Sequence, residues 1–101
     1  MSTKSYSEME TEDRRLVLLR ALEKAVMYRA NMFLLRDYAE AVGHTVSADR
    51  LAADLAWLKE QGLVTLHTAE SVTVATLTER GRDVATGRAE VPGVQRPHPG
   101  Y

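Results

Sequence analysis

The sequence predicts one α+β domain made of three helices, a two-stranded hairpin and a short closing helix. Three observations predict it. Apolar residues recur at helical spacing as far as Gln61, then give way over 63–77 to β-branched, extended segments. Asn31, Ser47 and Thr78 stand where helix N-caps belong, and Gly43, Gly62 and Gly87 stand where helices end. A chain of 101 residues suffices for one modest core and is too short for two.

The first helix has two candidate starts. Ser7 with Glu10 has capping-box spacing, and Thr11-Glu12-Asp13 places acids in a first turn. The helix runs to about Val26. On a helical wheel Leu18, Leu22 and Ala25 centre the apolar face and Arg20, Glu23 and Lys24 form the polar one, with Leu16 on the polar side and Val17 at its edge. The apolar arc is wider than one core contact needs. It reads either as packing on two sides within one chain or as a homodimer helix through Leu16, Val17 and Leu19. Met27–Ala30 is a short extended link. Asn31 caps a second helix whose inner face carries Leu34, Leu35, Tyr38 and Val42. After the tight connection His44-Thr45-Val46, Ser47 caps a third helix, Ala48–Gln61, with Leu51, Leu55 and Leu58 stacked on one face. Leu63–His67 and Val72–Leu77 are strands around a turn at Thr68–Ser71. Thr78 caps a last helix to about Thr86, in which the missing side chain of Gly81 allows a close approach to the sheet. Residues 1–7 read as a flexible arm, 8–87 as the domain, and 88–101, with all three prolines, as an extended or disordered Pro/Gly-rich tail.

Two helices joined by a three- or four-residue turn form a helix-turn-helix, and a hairpin directly after them is a wing. Ser47–Val64 resembles the recognition helix and first wing strand of MarR-, PadR- and ArsR-like regulators. Leu77-Thr-Glu-Arg-Gly81 is similar to the Leu-Thr-x-x-Gly that follows their wing. A closer resemblance, over about Tyr28 to Pro97, is to the small ArsR-like winged-helix proteins of Mu-like phages and prophages. Gly43-His44, Leu55-Ala-Trp-Leu58, Ala75–Gly81 and Val91-Pro-Gly-Val94 carry it. The resemblance implies a winged helix-turn-helix of order helix–short strand–helix–helix–hairpin–helix with disordered termini, and a phage or prophage transcriptional regulator that binds double-stranded DNA. The cysteine pair of metal-sensing ArsR proteins is absent, because the chain has no cysteine.

In that fold the third helix enters the major groove. The candidate DNA-binding residues are Thr45, Ser47, Asp49, Arg50 and Ala53 on the turn and helix, with His67, Thr68 and Ser71 on the wing. Asp54 and Lys59 fall at the margins of the outward face. Composition pulls the other way: 13 Lys and Arg against 14 Asp and Glu give a net charge of −1, whereas phosphate binding rests mostly on cations. Ser47 already serves as a cap, and His67 touches a phosphate only when protonated. The alternative is a protein-interaction adaptor in phage assembly or packaging, meeting a phage or host protein through Phe33, Trp57 and Glu60. Trp57 lies about 100° from Leu58 and so off the core stripe. It is covered by the N-terminal arm or last helix, or else is an exposed hot spot.

No catalytic site or cofactor is expected. His44, His67 and His98 are too far apart for metal spacing, and no phosphate loop or nucleophile elbow occurs. No run of about 18 apolar residues exists to span a membrane. The N-terminus is polar and acidic, unlike a signal peptide. The expected location is the cytoplasm of a bacterial host.

Overall fold

The computed structural model describes residues 3–98. Residues 1 and 2 of the expected arm and 99–101 of the expected tail lie outside the described residues. The element order is α1 (Tyr6–Lys24), a 3₁₀ turn (Val26–Tyr28), β1 (Arg29–Asn31), α2 (Met32–Ala41), α3 (Ala48–Glu60), β2 (Val64–Ala69), β3 (Val72–Leu77) and α4 (Glu79–Ala85). The strands form one antiparallel sheet in the order β1-β3-β2.

Helix α1 begins earlier than either expected start. Ser5 is its cap: Ser5 Oγ accepts from the Glu8 amide at 3.1 Å and donates to the Glu8 carboxylate at 3.3 Å. The Ser-x-x-Glu spacing occurs twice here, and the earlier copy also gains an ion pair from Lys4 to Glu12 at 2.6 Å. Further along, Leu16, Val17, Leu18, Leu19 and Leu22 are all buried, because α2, α4, β1 and β3 pack around the helix. A helix covered on every side has no polar face there, so the placement of Leu16 on the polar side is corrected. The homodimer reading through Leu16, Val17 and Leu19 falls with it, since none of the three reaches the surface.

After α1, Met27 and Tyr28 adopt left-handed φ values of 60° and 57°, which reverse the chain into β1. The extended link is therefore partly a 3₁₀ turn. The Asn31 side chain caps α2 by accepting from the Leu34 amide at 2.9 Å. The buried positions of α2 are Leu35 and Ala39, while Leu34 and Val42 face water. The expected inner face is thus shifted by part of a turn: it centres on the small Ala39, which lets α2 lie close to its neighbours. In α3, Leu51, Leu55 and Leu58 point inward as expected.

In the hairpin Ala69 pairs with Val72, leaving a two-residue turn in which Glu70 (φ 50°) and Ser71 (φ 67°) both have positive φ. A type I′ turn has this signature and matches the strand twist. The four-residue turn expected at Thr68–Ser71 is shorter because the strand ladder runs through Ala69. At the base of the hairpin, the Thr78 hydroxyl accepts from the Gly81 amide at 3.0 Å and donates to the Gly62 carbonyl at 2.7 Å. A Cβ on Gly81 would lie 2.0 Å from the Leu63 carbonyl oxygen, so only glycine permits this approach.

The tail is ordered where it is described. Val91 and Val94 are buried against the core, and the Gln95 amide donates to the Glu12 carbonyl at 3.2 Å. Prolines exclude a regular helix, but two valines supply the apolar anchors that an extended strap needs. Of the two readings of the tail, extended or disordered, residues 88–98 take the ordered one.

Candidate nucleic-acid interface

The turn between α2 and α3 is held from three sides. Gly43 takes φ 102°, and the His44 amide donates to the Ala39 carbonyl at 2.8 Å. His44 Nε2 lies 2.7 Å from the Asp13 carboxylate on α1. Arg36 Nε donates to the Val46 carbonyl at 3.0 Å. His44, expected as a plain turn residue, is buried and tethers α1 to the turn. Ser47 Oγ then caps α3 by accepting from the Arg50 amide at 3.1 Å.

Thr45, Ser47, Asp49, Arg50, Ala53 and Glu60 are exposed along the turn and the outward face of α3, and Ala52 and Ala56 widen that face with small side chains. His67, Thr68 and Ser71 are exposed on the hairpin. A polar groove of about 300 Å³ between the first turns of α1 and the α2–α3 turn brings Thr45, Ser47 and Arg50 together with Ser7, Glu10 and Thr11. The wing residues and Phe33 do not line it. Phe33 is 64% exposed on α2.

Two residues of α3 have surroundings that the sequence did not predict. Asp54 does not sit at the margin of a solvated face. It is 3% exposed and pairs with Arg14 of α1, which is 5% exposed. The guanidinium forks onto the carboxylate, Nε to Oδ2 at 2.5 Å and Nη2 to Oδ1 at 3.2 Å. The signal was present in the spacing: Leu51, Asp54, Leu55 and Leu58 follow i, i+3, i+4, i+7, and Arg14, Leu18 and Leu22 follow i, i+4, i+8. Two opposite charges inside two apolar stripes are natural partners, and their burial requires that they meet. Trp57 is the second correction. The Arg15 guanidinium stacks over its ring, 3.8 Å from the centroid, and Arg15 Nη1 donates to the Gly93 carbonyl at 2.9 Å. A Cβ on Gly93 would lie 2.7 Å from Trp57 Cζ2. The indole is therefore half-buried, with Arg15 over one face and the strap against its edge, and neither the N-terminal arm nor α4 is needed. Burial lowers the Arg15 pKa below the ordinary arginine value, with Asp54 acting in the opposite sense. Its buried Nε has no hydrogen-bond partner among the described residues, consistent with a guanidinium lying flat on an aromatic face.

Among the described residues, no group of three His, Asp or Glu side chains could hold a metal ion, and no helix is long and apolar enough to cross a membrane.

No protein-family model matches the chain. It is similar to the uncharacterized protein gp26 of Escherichia phage Mu, 48% identical over 93 residues that cover 92% of this chain and 96% of gp26. It is also similar to an uncharacterized protein of Haemophilus influenzae, 37% identical over 94 residues, covering 87% of this chain and 91% of that protein. Among solved structures it resembles a MarR family transcriptional regulator from Streptomyces coelicolor, in complex with DNA, with a TM-score of 0.60 at 23% identity over 76% of this chain. The chain spans about half of that structure, 49% of its length. The likeness shows the winged-helix fold.

Proposed function

For a chain that belongs to the family of gp26 of Escherichia phage Mu, we propose a winged-helix protein that binds double-stranded DNA and regulates transcription of a phage or prophage in the bacterial cytoplasm. The observation that carries the reading is the outward face of α3. Its first three turns expose Asp49, Arg50, Ala52, Ala53 and Ala56 to solvent. Alanines let a helix backbone settle deeply into a groove and touch thymine methyls, while Arg50 can bond a guanine edge in bidentate fashion. The Asp54 carboxylate is withdrawn from the α3 face into an ion pair with Arg14, although burying a cation with it leaves the net charge unchanged. Thr45 and Ser47 approach the phosphates beside the helix, and His67, Thr68 and Ser71 approach them from the wing. The folded unit runs from the α1 cap through the strap, so the strap is part of the domain.

The test is a salt titration of binding to random and genomic duplexes, with Arg50→Ala beside the wild type. Specific binding that Arg50→Ala weakens by about 1–3 kcal/mol supports the reading. No binding at the lowest ionic strength sinks it. A second reading, capture of a phage or host protein, rests on the exposed Phe33 and its neighbour Leu34, which is 58% exposed. With Trp57 covered, Phe33 and Glu60 would have to carry it. Phe33→Ser then abolishes capture while leaving DNA affinity unchanged.

A further inference from the structure

The chain has no net excess of cations, 13 Lys and Arg against 14 Asp and Glu, yet a DNA binder must hold the sugar-phosphate backbone in register. The groove beside α3 offers a way to do so. Its walls are built from the three segments that meet there, Ser7 and Thr11 from α1, Thr45 and Ser47 from the turn, and Arg50 from α3. Four hydroxyl-bearing residues therefore line one cleft. Ser47 Oγ accepts the Arg50 amide, which leaves its own hydrogen available to donate. Buried Arg14 contributes to the lining, and its charge is matched by Asp54 behind it. Arg50 also lies on the outward face of α3, so whatever occupies the cleft sits beside the proposed base-reading surface.

We propose that this groove seats one phosphodiester of the DNA backbone, held mainly by neutral hydroxyl donors with Arg50 at its rim. This rests on the DNA-binding reading above. Hydroxyls of Ser and Thr are ordinary phosphate ligands that fix register without carrying sequence information. Because they are neutral, they displace no condensed counterions. A protein that anchors the backbone in this way has a shallow salt dependence for its affinity. Glu10, the one carboxylate lining the groove, opposes the phosphate and limits the affinity.

The experiment is fluorescence anisotropy with random-sequence duplex DNA across a salt series, on four proteins: wild type, the double variant Ser7→Ala with Thr11→Ala, Glu10→Lys, and Glu40→Lys. Glu40 is an exposed acid on α2 outside the groove and controls for charge. Alanine favours helix, and thermal melts confirm that each variant is folded. The wild type is expected to show a slope of log affinity on log salt of about −1 to −3, one to three phosphate charges neutralised. The double alanine variant loses about tenfold in affinity, the worth of one or two hydrogen bonds, equally on every sequence and with the slope unchanged. Glu10→Lys binds more tightly and steepens the slope by about 0.9, one new phosphate contact. If the wild type binds but Glu10→Lys behaves like Glu40→Lys, or the double alanine variant keeps full affinity, the groove holds no phosphate and the DNA reading survives. If the wild type binds nothing at low salt, both fall.

Discussion

Replacing Asp54 with alanine should destabilise this domain more than almost any other substitution at a polar position. The side chains of Arg14 and Asp54 retain only 6% and 4% of their exposure, so water cannot solvate a guanidinium left alone. Breaking a buried pair by removing one partner costs about 3–5 kcal/mol. A small domain has about 5–15 kcal/mol in total, so about a fifth of the stability or more would go. For a domain of this size each kcal/mol moves the melting temperature by about 4–8 °C, which puts the expected drop at about 12–40 °C. Urea unfolding followed by the fluorescence of Trp57, the single tryptophan, measures it. Asp54→Asn keeps one acceptor and should fall between wild type and alanine. The double replacement Arg14→Met with Asp54→Leu removes both charges and should recover most of the loss, since apolar replacements of buried pairs are often neutral or stabilising. An Asp54→Ala cost below about 1 kcal/mol, the range of exposed ion pairs, would refute the claim that these charges are dry and mutually dependent.

Three further outcomes are expected. Gly81→Ala places a methyl 2.0 Å from the Leu63 carbonyl, against backbone that cannot rotate away, and should cost about 1–3 kcal/mol or more in thermal unfolding. Substituting Asn-Gly for Glu70-Ser71 supplies residues that accept the positive φ values of the turn, and should stabilise the domain by about 0.5–1 kcal/mol in the same melt. Gly93→Val drives a side chain into Trp57, so the strap should lift, acrylamide quenching of the indole should rise, and its emission should shift to the red; unchanged quenching would mean the strap does not cover the ring.

The order of elements was legible because the chain punctuates itself. Asn31, Ser47 and Thr78 cap the helices they were expected to cap, and the glycines at 43, 62 and 87 have the positive φ that ends a helix. The inward leucines of α3 followed from spacing alone. The failures share a cause. A helical wheel assumes one wet side, and α1 has none around Leu16. The same assumption made Asp54 look solvated, although its position within the apolar stripe of α3 argued otherwise. The strap was missed because composition reports what cannot form, a helix through three prolines, and is silent on what two valines can anchor. Trp57 was visibly off the leucine stripe, but nothing in the local pattern indicates that a residue 42 positions earlier, Arg15, would lie on it.

The clip formed by Thr78 and Gly81 on Gly62 and Leu63 dictates where this molecule can change length. Both legs of the hairpin are pinned at the bottom by hydrogen bonds that tolerate neither an added residue nor an added methyl. At the top, only two residues separate the strands, and they touch nothing that the core requires. Insertions are therefore admissible at the apex and lethal at the root. Relatives that need a longer reach toward a ligand will have grown it outward from the bend between Glu70 and Ser71, like a mast raised from a fixed step.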